Sequence, residues 1–446
     1  MSAASSASGQ VVLSEIMFNP LGSESHDEFI EIVNLSEAEA VDLMGWRISD
    51  GSSTDDLAAH ERGLVLQPGQ FGLVLDATYF NNSTSYDDFI PDNALILTID
   101  NSAFGLRGLA NETPEIVSLL DASGRVVSVY TYTTPNAGGF PDEKIDLFGS
   151  DVPDNWQDGK VVLGTPGGTN STTLQGFAPS SVRVNEIMYS PLDGQPEWIE
   201  IINTLPTTID LTRWAVTDSD TRARVFILDR VFLAPEAFLV LVADSSILEV
   251  FSPSPRSLVE LKALPSLNDD FDSVVALDLL GQQIDRVDYR KSWGGARGIS
   301  LEKIRPDLAS GDSSNWSSSV TFLGGTPGAR NSIFAETVVA GGRISITPNP
   351  FSPDGDGKDD FVLIGYELPM TTASVNVKIY DLRGRLIRFL ANNRPAASQN
   401  TIVWDGTDSH GEIARMGIYI VFLQALNAQA GVLETQKKTL VLAGKL

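Results

Sequence analysis

Apolar and polar positions alternate along much of the chain with a period of two. In FGLVLD, Phe71, Leu73 and Leu75 share one face, and the stretch holding Phe238, Val240 and Val242 repeats that spacing. VNVKIYD does the same with Val375, Val377 and Ile379, and GIYIVFLQAL, from Gly417, supplies a further long strand. Successive side chains of a strand point to opposite faces of a sheet, so this alternation predicts strands. Pro, Gly, Asn and Asp interrupt the runs at short intervals, as turns between strands do. Helical spacing never persists beyond about ten residues, and no heptad pattern is sustained, which excludes a coiled-coil rod. The pattern therefore predicts an all-β chain whose sheets close on one another as sandwiches.

The chain also repeats itself. VVLSEIMFNPLGSESHDEFIEIVN (11–34) matches VRVNEIMYSPLDGQPEWIEIIN (182–203), and VDLMGWRISD (41–50) matches IDLTRWAVTD (209–218). LQPGQFGLVLD (66–76) then answers LAPEAFLVLVAD (233–244). Both copies close on a Trp followed by GTPGGTNS (164–171) or GTPGARNS (325–332). The separation drifts from 171 residues at Glu15/Glu186 to 168 at Trp46/Trp214 and 161 at Asn170/Asn331, as loop insertions and deletions require. A unit of this length is a duplicated domain rather than a solenoid repeat.

The expected organisation is three consecutive Ig-like β-sandwich domains: a disordered lead-in at 1–10, domains at 11–173 and 182–332 joined by a linker at 174–181, a second linker at 333–341, and a third sandwich at 342–446. In the third, LRGR (382–385) and DGTDSHGE (405–412) read as turns, and its length fits about seven short strands. At one position the copies differ: Arg213 stands where the first copy has Gly45 before its Trp, which implies a different local turn.

Composition narrows the function. The 446 residues carry 31 Lys plus Arg against 58 Asp plus Glu, a net charge of −27. So acidic a surface repels phosphate backbones and anionic headgroups, which sets nucleic acid aside as a partner. Cysteine is absent and only His26, His60 and His410 occur, so thiolate chemistry and histidine-rich metal centres are excluded. No apolar run is long enough for a membrane-spanning helix. The polar residues 1–10 are not an intact signal peptide, so export implies a signal already removed.

The two repeats resemble lamin-tail domains, the Ig-like module of nuclear lamins that also occurs in many bacterial surface proteins. The resemblance rests on SEIM/NEIM, EFIEIVN/EWIEIIN, the DL..W step and the NW…GTPG..NS ending. The C-terminal segment resembles the Ig-like sorting domains of type IX secretion and gliding-motility proteins, and the Ig-like domain of flagellar hook-capping proteins. PNPFSPDGDGKDDF (348–361), VNVKIYDLRGR, WDGTDSHGE (404–412), GIYIV and the basic tail KKTLVLAGKL carry that likeness. These resemblances imply a secreted or cell-surface bacterial protein whose secretion machinery reads residues 342–446.

The strongest chemical signal is the acidic loop Asp354-Gly-Asp356-Gly-Lys358-Asp359-Asp360. Calcium takes six to eight hard oxygen ligands from closely spaced carboxylates and carbonyls, and glycines let such a loop turn tightly. The expected ligands are Asp354, Asp356, the Lys358 carbonyl and Asp360, with Asp359 as a substitute. No glutamate closes the loop as in an EF-hand. Glu28/Glu31 and Glu197/Glu200, with Glu15 and Glu186, recur in both copies. General acid–base chemistry uses such pairs, but their repetition beside strand apolar residues favours structural hydrogen bonding. Asp87/Asp88 and Asp269/Asp270/Asp272 read as solvated loops, and Trp46, Trp156, Trp214, Trp316 and Trp404 as packing residues. No catalytic residues are expected: there is no G-x-S-x-G elbow, phosphate loop or zinc-protease motif.

The reading that follows is a non-enzymatic secreted or cell-surface protein for adhesion, extracellular matrix or filament assembly, stiffened by calcium. Its partners would be other surface proteins, copies of itself, or glycans. The alternative is an accessory, substrate- or glycan-binding part of a secreted hydrolase or nuclease.

Overall fold

The computed structural model describes residues 11–219, 223–335, 341–427 and 431–444. The expected lead-in at 1–10 and residues 336–340 of the expected second linker lie outside them. The architecture is all-β, with helix confined, among the described residues, to Tyr79–Asn82 and short 3-10 turns. None of these helices is long and apolar enough to cross a membrane.

In the first unit, ten strands hydrogen-bond along one path. Its order is Val126–Thr131, Ile116–Leu120, Arg47–Ser49, Thr54–Ala59, Leu95–Ile99, Phe71–Leu75, Phe29–Asn34, Val11–Met17, Asp142–Lys144 and Trp156–Asp158. Phe71–Leu75 and Leu95–Ile99 run parallel. The path doubles back, so Leu13, Ile30, Ile32 and Val74 of one layer pack against Ile48, Val117, Leu119 and Tyr130 of the other. The second unit has the same layers as separate sheets of six and four strands. There Val225–Phe226 takes the place of the six-residue strand Thr54–Ala59, and so short a strand does not bridge the layers. Phe177, in the stretch expected as a linker, meets Trp214 edge-to-face at 4.9 Å and donates its N–H to Asp278 at 2.9 Å, so this segment packs on the second unit.

The Arg213 turn corrects the expectation of a different local geometry. Gly45 has φ 76° and Arg213 φ 66°, and in both turns the Trp N–H donates to the leucine three residues back at 3.0 Å. The turn is unchanged. Glycine adopts this left-handed conformation freely, whereas an arginine there costs on the order of 1 kcal/mol.

The third unit has five strands among the described residues rather than about seven short ones: Arg343–Thr347, Val362–Asp381, Leu386–Trp404, Gly417–Asn427 and Gly431–Leu442. Two are long, of 20 and 19 residues, and each continues through a proline. Pro369 falls where the pairing slips between Glu367 and Thr372, and Pro395 pairs opposite Ser374. Val362–Asp381 consequently serves two neighbours in turn, Arg343–Thr347 along its first half and Gly417–Asn427 along its second. LRGR and DGTDSHGE are turns, each closed by an aspartate accepting local N–H groups. Trp404 is 1% exposed, packs against Phe351 and Tyr419 at 5.4 Å, and donates its indole N–H to Thr407 at 2.8 Å.

Trp404→Ala removes the centre of that core and leaves the other two cores untouched. It is expected to destabilise the third unit by about 3–5 kcal/mol. Calorimetry should show one unfolding transition displaced, with those of the first two units moving by less than about 0.5 kcal/mol.

Candidate functional site

Three glutamates lie side by side inside each repeat. Glu15 on Val11–Met17 pairs directly with Glu31 on one neighbouring strand and with Glu143 on the other. Glu186, Glu200 and Glu302 form the same row in the second unit. All six are 0% exposed. A bulge precedes Glu15 and Glu186 and brings the adjoining side chain into the row, so that Ser14 donates to Glu31 at 2.7 Å and Asn185 to Glu200 at 2.8 Å.

The closing motif of each copy exists to satisfy this row. Thr165 donates its N–H and hydroxyl to Glu15 at 2.8 and 2.7 Å, and the Gly167 N–H donates to Glu31 at 2.6 Å. Asn170 donates to the carbonyls of Ser14 and Lys144 at 2.9 and 2.8 Å, and Ser171 donates to Glu143 at 2.6 Å. Thr326, Gly328, Asn331 and Ser332 do the same for Glu186, Glu200, the carbonyls of Asn185 and Lys303, and Glu302. Burial pushes Glu31 and Glu200 up to about 8. It holds Glu15 and Glu186 well above the usual carboxylate range, with repulsion from their two neighbours adding to it. The rows hold protons, and they are sealed from any substrate.

Glu143 and Glu302 escaped sequence reasoning. Each opens a Glu-Lys pair in a three-residue strand, too short to show alternation. The repeated pair itself was the available signal. Lys144 meets Asp151 at 2.6 Å, whereas Lys303 lies over Trp316 and donates to Ser310 at 2.5 Å, with burial lowering it to about 8. The paired reading of Glu28 with Glu31 separates in space. Glu28 accepts the Leu109 N–H at 2.9 Å and is raised by burial to about 9, and Glu197 accepts the Leu267 N–H at 3.3 Å. All five tryptophans of the domain motifs are at most 5% exposed. Asp87 accepts the Tyr79 hydroxyl, and Asp272 accepts from the backbone N–H and the side-chain amide of Asn268. His26 contacts Thr78, His60 stacks on Phe80, and His410 lies beside Asp408.

Arg213 shows what its strained backbone achieves. Its guanidinium lies 4.8 Å from the ring centre of Phe89 in the first unit and donates to the Gly164 carbonyl at 2.7 Å, and Phe226 meets Phe140 at 6.0 Å. Beside these contacts a cleft of about 1260 Å³ opens between the two units, lined by Phe89, Phe140, Phe226, Lys160, Lys262 and Asp158 among others.

In the third unit the acidic loop is exposed. One carboxylate oxygen each of Asp354, Asp356 and Asp360 lies within 4.8 Å of the others, the one such acidic group found among the described residues. Gly355 and Gly357 have φ 80° and 86° and donate their N–H groups to the two oxygens of Asp360 at 2.6 and 2.8 Å. Lys358 enters this hydrogen bonding through its N–H, to Asp356 at 2.9 Å. The Asp359 carboxylate stands outside the cluster, while its carbonyl accepts the Ser352 N–H at 2.8 Å.

Fold and sites together define a chain of Ig-like sandwiches in which a carboxylate row is locked by a closing loop. The lamin tail domain family model matches residues 4–134 and 175–291, more than half of the chain, and the chain belongs to that family. A FlgD Ig-like domain model matches residues 352–429. No curated protein sequence matches. Among solved structures, dimeric latent PorU from Porphyromonas gingivalis aligns over 98% of this chain and 34% of its own at 10% identity, with a TM-score of 0.20. PorZ of the same organism, an essential bacterial surface component of the type-IX secretion system, aligns over 97% of this chain and 51% of its own at 11% identity and TM-score 0.20. The exo-chitosanase CsxA of Amycolatopsis orientalis aligns over 56% of this chain and 26% of its own, at 11% identity and TM-score 0.17. The chain thus spans about a third of PorU and about half of PorZ.

The rows make stability depend on pH. Unfolded, their carboxyls ionise near 4.5, and folded, Glu31 and Glu200 keep protons up to about 8. Their contribution is complete below about 4.5 and is lost as pH rises through about 8. The thermal midpoint of the first two units should therefore fall as pH climbs across that window. In strong acid the hydrogen-bonded surface aspartates, such as Asp312 and Asp381, act in the opposite sense. Glu31→Gln should lessen the first unit's share of this slope, with Glu15 and Glu28 still contributing. Glu31→Ala strands the Gly167 N–H and should cost about 1–3 kcal/mol in denaturant unfolding.

Proposed function

We propose that this is a non-enzymatic protein of the bacterial surface or extracellular space, exported through its C-terminal unit and working in adhesion or in matrix or filament assembly. The observation that carries the reading is the combination of domains: two lamin tail domains, whose repeated carboxylates are all engaged structurally, followed by a FlgD Ig-like domain. Residues 342–446 are the part the secretion machinery reads. Other surface proteins, or copies of the chain, are the partners.

Calcium belongs to the same proposal. Asp354, Asp356 and Asp360 offer only hard oxygen ligands at an exposed, tightly turned loop, a set suited to Ca²⁺ rather than to a nitrogen- or sulfur-seeking metal. The Lys358 carbonyl adds an oxygen, and Asp359 stands in reserve. The ion would relieve the repulsion among the three carboxylates and stiffen the third unit.

Two experiments test this. In a host that makes the protein, a tagged full-length chain should reach the surface and be shaved by external protease, while a version ending before Gly342 should stay inside the cell envelope. A full-length chain found in the cytoplasm sinks the reading. Separately, Ca²⁺ at a hundred times its dissociation constant should stabilise the third unit by roughly 2.7 kcal/mol. The effect should vanish in Asp354→Asn/Asp356→Asn, and an unmoved transition in the native chain removes calcium from the proposal.

A further inference from the structure

The two copies close one joint of the sandwich differently. In the first unit Thr54–Ala59 pairs with Leu95–Ile99, and Asp56 and Asp100 complete the junction. Asp100 donates its N–H to the Asp56 carbonyl and accepts the Asp56 N–H on its carboxylate, both at 3.1 Å. The strand pairings put Phe226 of the second unit at the position of Asp56, because Ala215 faces Phe226 as Arg47 faces Asp56. They put Lys262 at the position of Asp100, because Val242 faces Glu260 as Leu75 faces Thr98, two residues earlier. Neither replacement supplies a carboxylate. Among the described residues, Val225–Phe226 pairs with Ala215–Thr217 alone.

The outer edge of that strand is consequently open. Ile227 turns its N–H to Trp214 at 2.8 Å and its carbonyl to Arg213 at 2.6 Å. Backbone groups alternate sides along a strand, so those of Phe226 point the other way. Among the described residues no hydrogen bond reaches them. Unpaired N–H and C=O groups at a sheet edge are a template for a further strand. This edge lies on the cleft between the first two units, which Phe226 and Lys262 both line.

The rest of the cleft selects the kind of strand. Its charged lining is Lys160, Arg224 and Lys262 against Asp88 and Asp158, an excess of cations in a chain whose net charge is −27. Lys160 and Lys262 are exposed, and neither meets a carboxylate at ion-pair distance among the described residues. Phe89, Phe140 and Phe226, all half-buried, supply an apolar wall.

We propose that the cleft binds an extended acidic peptide of a partner protein, added as a strand along Val225–Phe226. Its apolar residues lie on Phe89 and Phe140, and a carboxylate meets Lys160 and Lys262. The incoming carboxylate takes up the place that Asp100 fills in the first unit. Main-chain hydrogen bonds give such a site affinity, and the side chains around it give specificity. The first unit offers no such edge, because its joint is filled from within. The inference goes beyond surface display and stands whether or not the chain is exported.

Random peptides displayed on phage and selected on the full-length chain should enrich sequences with Asp or Glu among apolar residues. Lys160→Glu/Lys262→Glu should not retain them. Both lysines are exposed, so circular dichroism of this variant should be native. A synthetic copy of an enriched peptide should bind the native chain in fluorescence anisotropy and weaken by roughly tenfold on the variant. It should weaken likewise when its alternate amides are N-methylated, which removes strand pairing and leaves the charges. Phe226→Asp/Lys262→Asp, which restores the first unit's pair, should close the edge and lose binding. Enrichment of basic or uncharged peptides, or none above that on the charge-reversed variant, would overturn the proposal. Undiminished binding after N-methylation would overturn it too, since side chains alone would then hold the peptide. Localisation is measured separately, so none of these failures touches the surface reading.

Discussion

Three adjacent carboxylates in the dry interior of a sandwich are a costly arrangement, and each lamin tail domain is organised around making it tolerable. An ionised carboxylate taken from water needs compensation, and two more beside it multiply the demand. The domain responds in two ways. It holds protons on the row well into neutral pH, and it folds the G-T-P-G-x-x-N-S segment over the row so that N–H and hydroxyl groups meet the oxygens. The donors and acceptors lie 150 residues apart for Glu15 and Thr165, and 140 for Glu186 and Thr326. Completing the row therefore fastens the last segment of the domain to its first strand, which ties closure of the whole sandwich to a handful of polar contacts.

Duplication kept this polar arrangement and let its surroundings diverge. The strand that continues the first unit's sheet into ten is cut to two residues in the second, which frees Phe226 to lie against its neighbour. The turn before Trp214 kept its left-handed backbone while glycine gave way to arginine. Strain of that kind persists where surrounding contacts over-determine it. Here the compensation comes from the other domain, through Phe89 and the Gly164 carbonyl. The second copy has become the partner of the first and is no longer its replica.

Much of this was legible in the sequence, and what was missed has physical causes. Alternation at Phe71, Leu73 and Leu75 exposes a strand because the core sets it, and the repeat of Glu15 and Glu31 in Glu186 and Glu200 exposed a shared structural duty. Glu143 and Glu302 stayed hidden because three-residue strands have no period to read. The Arg213 turn was misjudged because residue type biases φ without determining it. The long strands through Pro369 and Pro395 looked like several short ones, although Pro369 falls where the register slips and Pro395 stays paired opposite Ser374. The contact between the first two units left no periodic trace, because it depends on which loop reaches which face once both domains have formed.

Displaced carboxyl titration is commonly the signature of an active site, and here the same signature argues the other way. A general acid must come within hydrogen-bond reach of the atom it protonates. Both oxygens of Glu31 accept hydrogen bonds within the domain, from Ser14 and Gly167, and both oxygens of Glu200 do so from Asn185 and Gly328. None of the six glutamates shows surface to solvent. Reaching them would require lifting the closing segment, which would also remove the contacts that hold the domain together. Their displaced titration is a property of the fold. Interactions with other molecules must then run through groups that lie outside the rows.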